Sequence, residues 1–221
     1  MKRTGRLDAV CAELSACGLF ADVGCDHGYC TLYMLERGLC RRAVISDISA
    51  KSLQKAERLL RGYIAEGRVR SVCCAGLAEV PREAELVLIA GMGGEEILQI
   101  LREGFLPPKL VLQPMKNAPK LRAFLLENGY AIAHDYTYFE GRKYYDILRA
   151  ERGTGRAYSA PDLLFGYDNL KSPSAAFVRR LEREAEECRA RVAAAGKLFP
   201  AAETRLRQLA EASDEAQRNL R

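Results

Sequence analysis

Short β-branched apolar runs alternate with helix-like stretches through the first 150 residues, and this alternation restricts the fold more than any other feature of the chain. The runs are "LFADV" (19–23), "AVISDI" (43–48), "VRSVCC" (69–74), "LVLIAG" (86–91) and "KLVLQP" (109–114). Apolar residues recur at helical spacing near 28–37, 50–62, 93–103 and 117–127. Nearly continuous apolar strands need cover on both faces, so the pattern predicts an α/β fold with a parallel sheet between helix layers. "YAIAHDYTYFEGRKYYDILRA" then breaks the rhythm. Two strands joined by a turn at Glu140–Gly141 predict an antiparallel hairpin.

The chain changes character near residue 151. "ERGTGRAYSAPDLLFGYDNLKSP" is interrupted by glycine and proline and reads as a linker with little regular structure. "SAAFVRRLEREAEECRARVAAAG" and "AAETRLRQLAEASDEAQRNL" read as two helices with a break at Gly196–Pro200, short enough to make them antiparallel neighbours. Phe177, Leu181, Cys188 and Val192 supply the apolar stripe that would seam them together. The expected division is therefore a sheet domain at 1–152 and, at 153–221, a linker with a helical coiled-coil hairpin. At the other end, "MKRTGRLDAVCAELSACG" has the spacing of an amphipathic helix, with Leu7, Val10, Cys11 and Leu14 on one face.

Composition narrows function by exclusion. The 221 residues are 48% hydrophobic and 29% charged, ordinary for a globular protein. No apolar run reaches membrane-spanning length and no basic start leads into an apolar signal core, so a cytoplasmic protein with no membrane partner is expected. That compartment is reducing, and the eight cysteines are expected as free thiols, mostly small buried hydrophobes. Cys25, His27 and Cys30 lie close together but lack the two spaced ligand pairs of a structural zinc site, so no metal is expected. The net charge of +5 is mild and shared by both parts of the chain, so a nucleic-acid partner would need a local basic patch. Nothing in the sequence marks an oligomer, and a monomer is the default expectation.

The densest polar chemistry is "ADVGCDHGYC" (21–30), at the first strand-to-helix turn. In open α/β sheets ligands bind beyond the carboxyl ends of the strands, so Gly24 and Gly28 let the backbone approach something closely. Their spacing is G-x-x-x-G and not the G-x-G-x-x-G that seats a diphosphate, which argues against a nicotinamide dehydrogenase. Asp47 in "VISDIS" ends the second strand, where a carboxylate suits the two hydroxyls of an adenosine ribose. The alternative is that Asp47 caps the following helix, a task Ser49 could perform equally well. "IAGMGGEEI" (89–97) ends the fourth strand with three glycines around Met92, again close backbone approach or a tight turn. It lacks the Asn/Asp-Pro-Pro-aromatic run of many methyltransferases that act on amino nitrogens. "VLQPMKNAPKLR" offers Gln113, Lys116, Asn117, Lys120 and Arg122 around two prolines, side chains that could contact phosphate.

A doubly wound sheet finished by an antiparallel hairpin is the layout of Rossmann-like class I methyltransferases. "RLDAV", "ADVGCDHGY", "SDIS", "IAGMGGEEI", "LVLQPM", "LR-x-F-L-x-x-x-GY" and "GRKYYDIL" occur in the order seen in the bacterial tRNA (adenine(22)-N1)-methyltransferase family, TrmK. The chain strongly resembles that family from residue 6 to about 150, and more loosely in "LLFG" and the terminal helices. The resemblance implies S-adenosylmethionine as cofactor, tRNA as partner and methylation of adenine N1. It implies cofactor contacts from Asp22, Gly24, Asp26, Gly28, Tyr29, Asp47, Ile48, Gly76, Leu77, Ala90, Gly91, Met92 and Gly93. One position departs. Members carry a Gly-Asp/Asn-Gly-Leu run after the third strand, whereas "CAGL" (74–77) puts Ala75 in place of the side chain that suits adenine. A lost hydrogen bond of this kind costs on the order of 1 kcal/mol.

Methyl transfer from a sulfonium needs positioning more than a covalent nucleophile. Positive charge appears on the base, so a nearby carboxylate would stabilise the product side, and Asp26 is the first candidate. His27 is the second candidate, although a turn histidine can equally serve by holding the loop. For the RNA, Gln113, Lys116, Asn117 and Arg122 are expected on the sheet domain, with Arg179 and Arg180 on the first C-terminal helix. Glu182, Glu184, Glu186 and Glu187 alternate with those arginines, so a salt-bridged helix face is the competing reading. Two other functions fit the same residues: a methyltransferase for a small molecule, and a non-catalytic RNA-binding relative.

Overall fold

Strands β1 (Cys17–Val23), β2 (Cys40–Asp47), β3 (Val69–Cys73), β4 (Leu86–Met92), β5 (Lys109–Pro114), β6 (Tyr130–Glu140) and β7 (Lys143–Arg152) form a single sheet in the spatial order β3-β2-β1-β4-β5-β7-β6. The structure, a computed structural model, describes residues 5–220. The pairs from β3 through β5 are parallel, and β7 runs antiparallel to β5. Strand order reverses between β1 and β4, which opens the crevice where a ligand can sit.

Burial explains why these runs are strands. Phe20 and Ala21 of β1, Ile45 of β2, Leu86 to Ile89 of β4 and Leu110 to Leu112 of β5 are all essentially inaccessible to water. Each large side chain so placed contributes about 1.5–3 kcal/mol. Strand β2 begins three residues before the expected apolar run, because Arg41 and Arg42 are exposed at its start and hide it from a hydrophobicity pattern.

Helices α2 (Tyr29–Glu36), α3 (Ala50–Ala65), α4 (Gly94–Glu103) and α5 (Ala118–Glu127) follow their strands as expected. Ser49 caps α3: its Oγ accepts the Ser52 N–H at 3.2 Å, an interaction worth about 1 kcal/mol. That leaves Asp47 free of the capping task. Helix α1 (Gly5–Ala12) stops before Leu14, which is nonetheless buried beside Val10 and Cys11. Residues 1–4 of the expected N-terminal helix lie outside the described residues.

The chain divides into two compact units. The first comprises the residues up to His134 together with Ile147–Arg156, and the second comprises Asp135–Asp146 with the residues from Ala157 onward. The tip of the β6–β7 hairpin thus groups with the C-terminal helices. Its turn residues are Gly141 and Arg142, both at positive φ (56° and 69°), as a two-residue hairpin requires, one position beyond the expected turn.

Within the second unit, the segment expected to be irregular contains two short helices, α6 (Ala160–Phe165) and α7 (Tyr167–Lys171). Ser159 and Asp162 form a reciprocal capping box that starts α6 despite Pro161. Helices α8 (Ala175–Ala195) and α9 (Pro200–Asn219) follow, with Phe177, Leu181, Leu209, Ala212 and Ala216 in a core shared with Phe165 and Leu170. Buried Asn169 ties the hairpin into this unit. Its Oδ1 accepts the Thr137 N–H at 2.8 Å, and its Nδ2 donates to Thr137 Oγ1 at 3.0 Å and to the Phe165 carbonyl at 2.7 Å.

Candidate active site

The carboxyl ends of β1, β2, β3 and β4 wall a cavity of about 580 Å³. Gly24, Asp26, Asp47, Ile48, Gly76, Leu77, Ala90, Gly91 and Met92 line it, so nine of the expected cofactor residues come together in the first unit. Ala75 lines it too, at the position where the expected polar side chain is missing. Arg6, Ser46, Glu96, Gln99, Ile100 and Glu103 complete much of the wall. Sequence reading gave none of these a role. Those on α4 follow "AGMGG" at i, i+3, i+4 and i+7, a helical face turned to the cavity, which is the signal that could have found them.

The turn after β1 is built by short backbone contacts. Gly24 N–H and Cys25 N–H both donate to the Ser46 carbonyl, at 2.8 and 3.1 Å, fastening the turn to the end of β2. Gly24 has φ 70°, and a Cβ there would overlap Met92 Cε at 2.1 Å, so the methionine of the fourth-strand motif lies over this glycine. Asp26 also has positive φ (43°), tolerable for a short polar residue. Its N–H donates to Asp47 Oδ2 at 3.2 Å, while Asp47 Oδ1 accepts the Ser49 N–H at 2.8 Å. Both acids therefore reach the cavity from a braced frame. The exposed Asp26 carboxylate stands 3.4 Å from Lys55 Nζ and 3.7 Å from His27 Nε2.

Other expected site residues do different work. Asp22 is buried beneath the turn and accepts a hydrogen bond from Thr31 Oγ1 at 2.8 Å; burial pushes its carboxyl up to about 6, although the Thr31 hydrogen bonds pull the other way. Gly28 starts α2 at φ 73°, and a Cβ there would stand 3.0 Å from Ala56 Cβ and 3.1 Å from Leu60 Cδ1, so what its bare backbone approaches is α3. His27 and Tyr29 lie outside the cavity wall and stack on each other at 5.5 Å. Gly93 precedes α4, beside the Lys116 side chain and outside that wall. Burial and then the charges of Asp22 and Asp47 push the Cys25 thiol up, so it stays protonated and is no nucleophile at neutral pH.

The expected RNA contacts divide similarly. Lys116 and Asn117 are exposed, and Asn117 precedes α5 at φ 60°. Gln113 and Arg122 are buried in the first unit, because their positions point inward from β5 and α5; neither offers a surface to RNA. Lys120 is engaged by Glu95. In the second unit, Arg180 is held between Asp146 at 2.6 Å and Glu184 at 3.0 Å, and also donates to Thr137 Oγ1 at 2.9 Å. This is a structural brace and not a free phosphate contact. Arg179 is exposed, 6.0 Å above the Phe139 ring, and exposed Arg183 lies 5.1 Å above Tyr144 while pairing with Glu187 at 3.2 Å.

A parallel sheet reversed between β1 and β4, an antiparallel β7 beside β5, and two strand-end acids facing one cavity are the fold and site of a class I methyltransferase. A family model described as a methyltransferase domain matches residues 3–148. The tRNA (adenine(22)-N(1))-methyltransferase of Bacillus subtilis is 28% identical over 194 residues, covering 83% of this chain and 82% of that protein. A Mycoplasma pneumoniae protein named as a candidate tRNA methyltransferase is 33% identical over 135 residues, and the match spans 60% of this chain and 63% of that relative's length. A Streptococcus pneumoniae protein crystallised with S-adenosyl-L-methionine, a candidate tRNA (m1A22) methyltransferase, superposes with a TM-score of 0.86 at 27% identity, covering 96% of this chain and 100% of that one. The chain belongs to the methyltransferase domain family, and the relatives it is similar to along most of its length are tRNA (adenine(22)-N1)-methyltransferases of the TrmK type. Among the described residues no helix is long and apolar enough to cross a membrane.

Proposed function

We propose that this protein is a cytoplasmic S-adenosylmethionine-dependent methyltransferase that modifies N1 of adenine 22 in tRNA. The observation that carries the reading is the convergence of Asp26 and Asp47, from neighbouring strand ends, on one cavity. The cavity fits the cofactor chemically. In this reading Asp47 accepts from the ribose hydroxyls, and Ile48, Leu77 and Ile100 of the same wall offer apolar surface for a base. Gly24 and Gly91 line the same wall. Bound S-adenosylmethionine would supply an electrophilic methyl group, which adenine N1 can accept without a covalent enzyme intermediate.

Asp26 has the catalytic role in this reading. Asp26 lines the cavity, whereas the carboxylate of Asp22 is buried against Thr31, and the charge of Asp26 can favour positive charge appearing on a base held there. His27, 3.7 Å from Asp26 and stacked on Tyr29, acts as a positioning residue for that loop. The first unit holds the cofactor. The second unit, with exposed Arg179 and Arg183, supplies phosphate contacts, and the protein works as a monomer.

Purified protein incubated with labelled S-adenosylmethionine should methylate a tRNA transcript bearing adenine at position 22 and leave one bearing guanine there unlabelled. Equal labelling of both transcripts would remove the site assignment. Labelling of neither, with cofactor still bound, would favour a small-molecule methyltransferase.

A further inference from the structure

Arg6 opens the "RLDAV" run and sits at the start of α1, outside the sheet motifs that define the fold. It nevertheless lines the cavity, and it is the one cation among the described lining residues, which include the acids Asp26, Asp47, Glu96 and Glu103. We propose that Arg6 binds the carboxylate of the cofactor's amino-acid end, held in place by Gln113; the inference rests on the methyltransferase reading above.

The geometry fixes the guanidinium in two ways. Arg6 Nη1 donates to Gln113 Oε1 at 2.6 Å. Gln113 is itself completely buried at the end of β5, with its Nε2 donating to the Pro114 carbonyl at 3.1 Å and facing Met115 Sδ at 3.6 Å. With the amide nitrogen committed to a carbonyl, the amide oxygen is the atom turned to Arg6, so Gln113 cannot flip without losing both interactions. On the other side, a Cβ built on Gly91 would lie 3.5 Å from Arg6 Nη1, so the guanidinium rests against bare backbone at the end of β4.

Placement then selects the ligand group. Asp47 lies at the end of β2 and Arg6 at the end of β4, with β1 between them. Two strand spacings separate the two ends, roughly 10 Å. A ligand meeting both must carry a diol at one end and an anion at the other. The amino-acid arm of S-adenosylmethionine supplies that anion as a carboxylate, which a guanidinium fork matches better than any other side chain. Its ammonium finds the acids of the same wall. Gln113, expected from sequence as a substrate contact, acts here as a positioning residue.

Calorimetry with two probes separates this role from a structural one. S-Adenosylhomocysteine carries the carboxylate, whereas 5′-methylthioadenosine keeps the adenosine and lacks the amino-acid arm. Arg6→Met should weaken S-adenosylhomocysteine roughly ten- to hundredfold, the range for a charge-assisted hydrogen bond, and leave 5′-methylthioadenosine within about twofold. Arg6→Lys should recover part of the loss, and Gln113→Leu should lower the same ratio of affinities by a smaller factor. Equal weakening of both probes would make Arg6 a support of the fold and overturn the assignment. Unchanged S-adenosylhomocysteine affinity with weaker tRNA binding would give Arg6 to the RNA backbone and overturn it too. Wild-type protein that binds neither probe would overturn the methyltransferase reading itself.

Discussion

The carboxylate of Asp47 accepts the backbone N–H of Asp26 at 3.2 Å, so one acid of the cavity sets the position of the other. Asp47 ends β2 and Asp26 follows β1, and the bond joins the two strand ends at the wall of the cavity. Mutations at the two sites are therefore not independent.

Asp47→Ala should weaken S-adenosylhomocysteine at least tenfold, from the ribose contact alone. It also removes the acceptor for the Asp26 and Ser49 N–H groups, each worth about 1 kcal/mol, so thermal stability should fall measurably. Calorimetry with a parallel melting curve checks both. Unchanged cofactor affinity in the folded variant would refute the ribose assignment.

Asp26→Asn should keep cofactor affinity and lose most turnover. Asparagine tolerates positive φ as well as aspartate does, so the turn at φ 43° is preserved and only the charge is removed. Single-turnover methylation of tRNA at the wild-type rate would remove Asp26 from the mechanism.

Asp22 makes stability depend on pH. Its carboxyl rises from 3.8 to about 6 on folding, mainly through burial, so the native state holds this proton more tightly than the unfolded chain does. The contribution is fully present below about pH 4 and is lost as pH rises through about 6, by roughly 3 kcal/mol in total. Asp22→Asn keeps an acceptor for Thr31 and abolishes the titration. Urea denaturation should show the variant gaining on wild type between pH 4 and pH 8, and a pH-independent difference would contradict this origin.

Arginines of α8 should separate by role. Arg180→Ala breaks the pair with Asp146 and should cost on the order of 2–4 kcal/mol of stability in the second unit. Arg179→Ala with Arg183→Ala should leave the fold intact and weaken tRNA binding. The plot of log affinity against log salt should flatten by about 0.7–0.9 for every phosphate that the double variant no longer neutralises. An unchanged slope would place the RNA surface elsewhere. Deleting everything after Arg152 is a poorer test, since it strips Asn169 from Thr137 and leaves the hairpin tip without its partners.

Strand positions were legible because buried parallel strands must be apolar along their whole length, as Leu86–Ile89 and Leu110–Leu112 are. The strand-end residues Gly24, Asp26, Asp47 and Met92 were legible for the related reason that the fold dictates where a ligand sits. What escaped is what side-chain direction decides. Gln113 and Arg122 look like rim residues in sequence, yet both point into the first unit. Arg180 looks like its neighbour Arg179 until Asp146 claims it from the hairpin 34 residues earlier. Arg6, Glu96, Gln99 and Glu103 reach the cavity from helices, where no strand-end rule points to them. Helix α6 escaped because Pro161 reads as a breaker, although proline is well suited to a first helical turn.

The central claim is that this protein places a methyl group on N1 of adenine 22 in tRNA, and primer extension tests it most directly. N1 methylation blocks the Watson–Crick edge and halts reverse transcription, so tRNA from cells carrying the gene should give a stop at that position. The stop should vanish when the gene is deleted and return with the wild-type gene, but not with the Asp26→Asn variant. A stop that persists in the deletion strain, or one that the Asp26→Asn variant restores in full, would contradict the account.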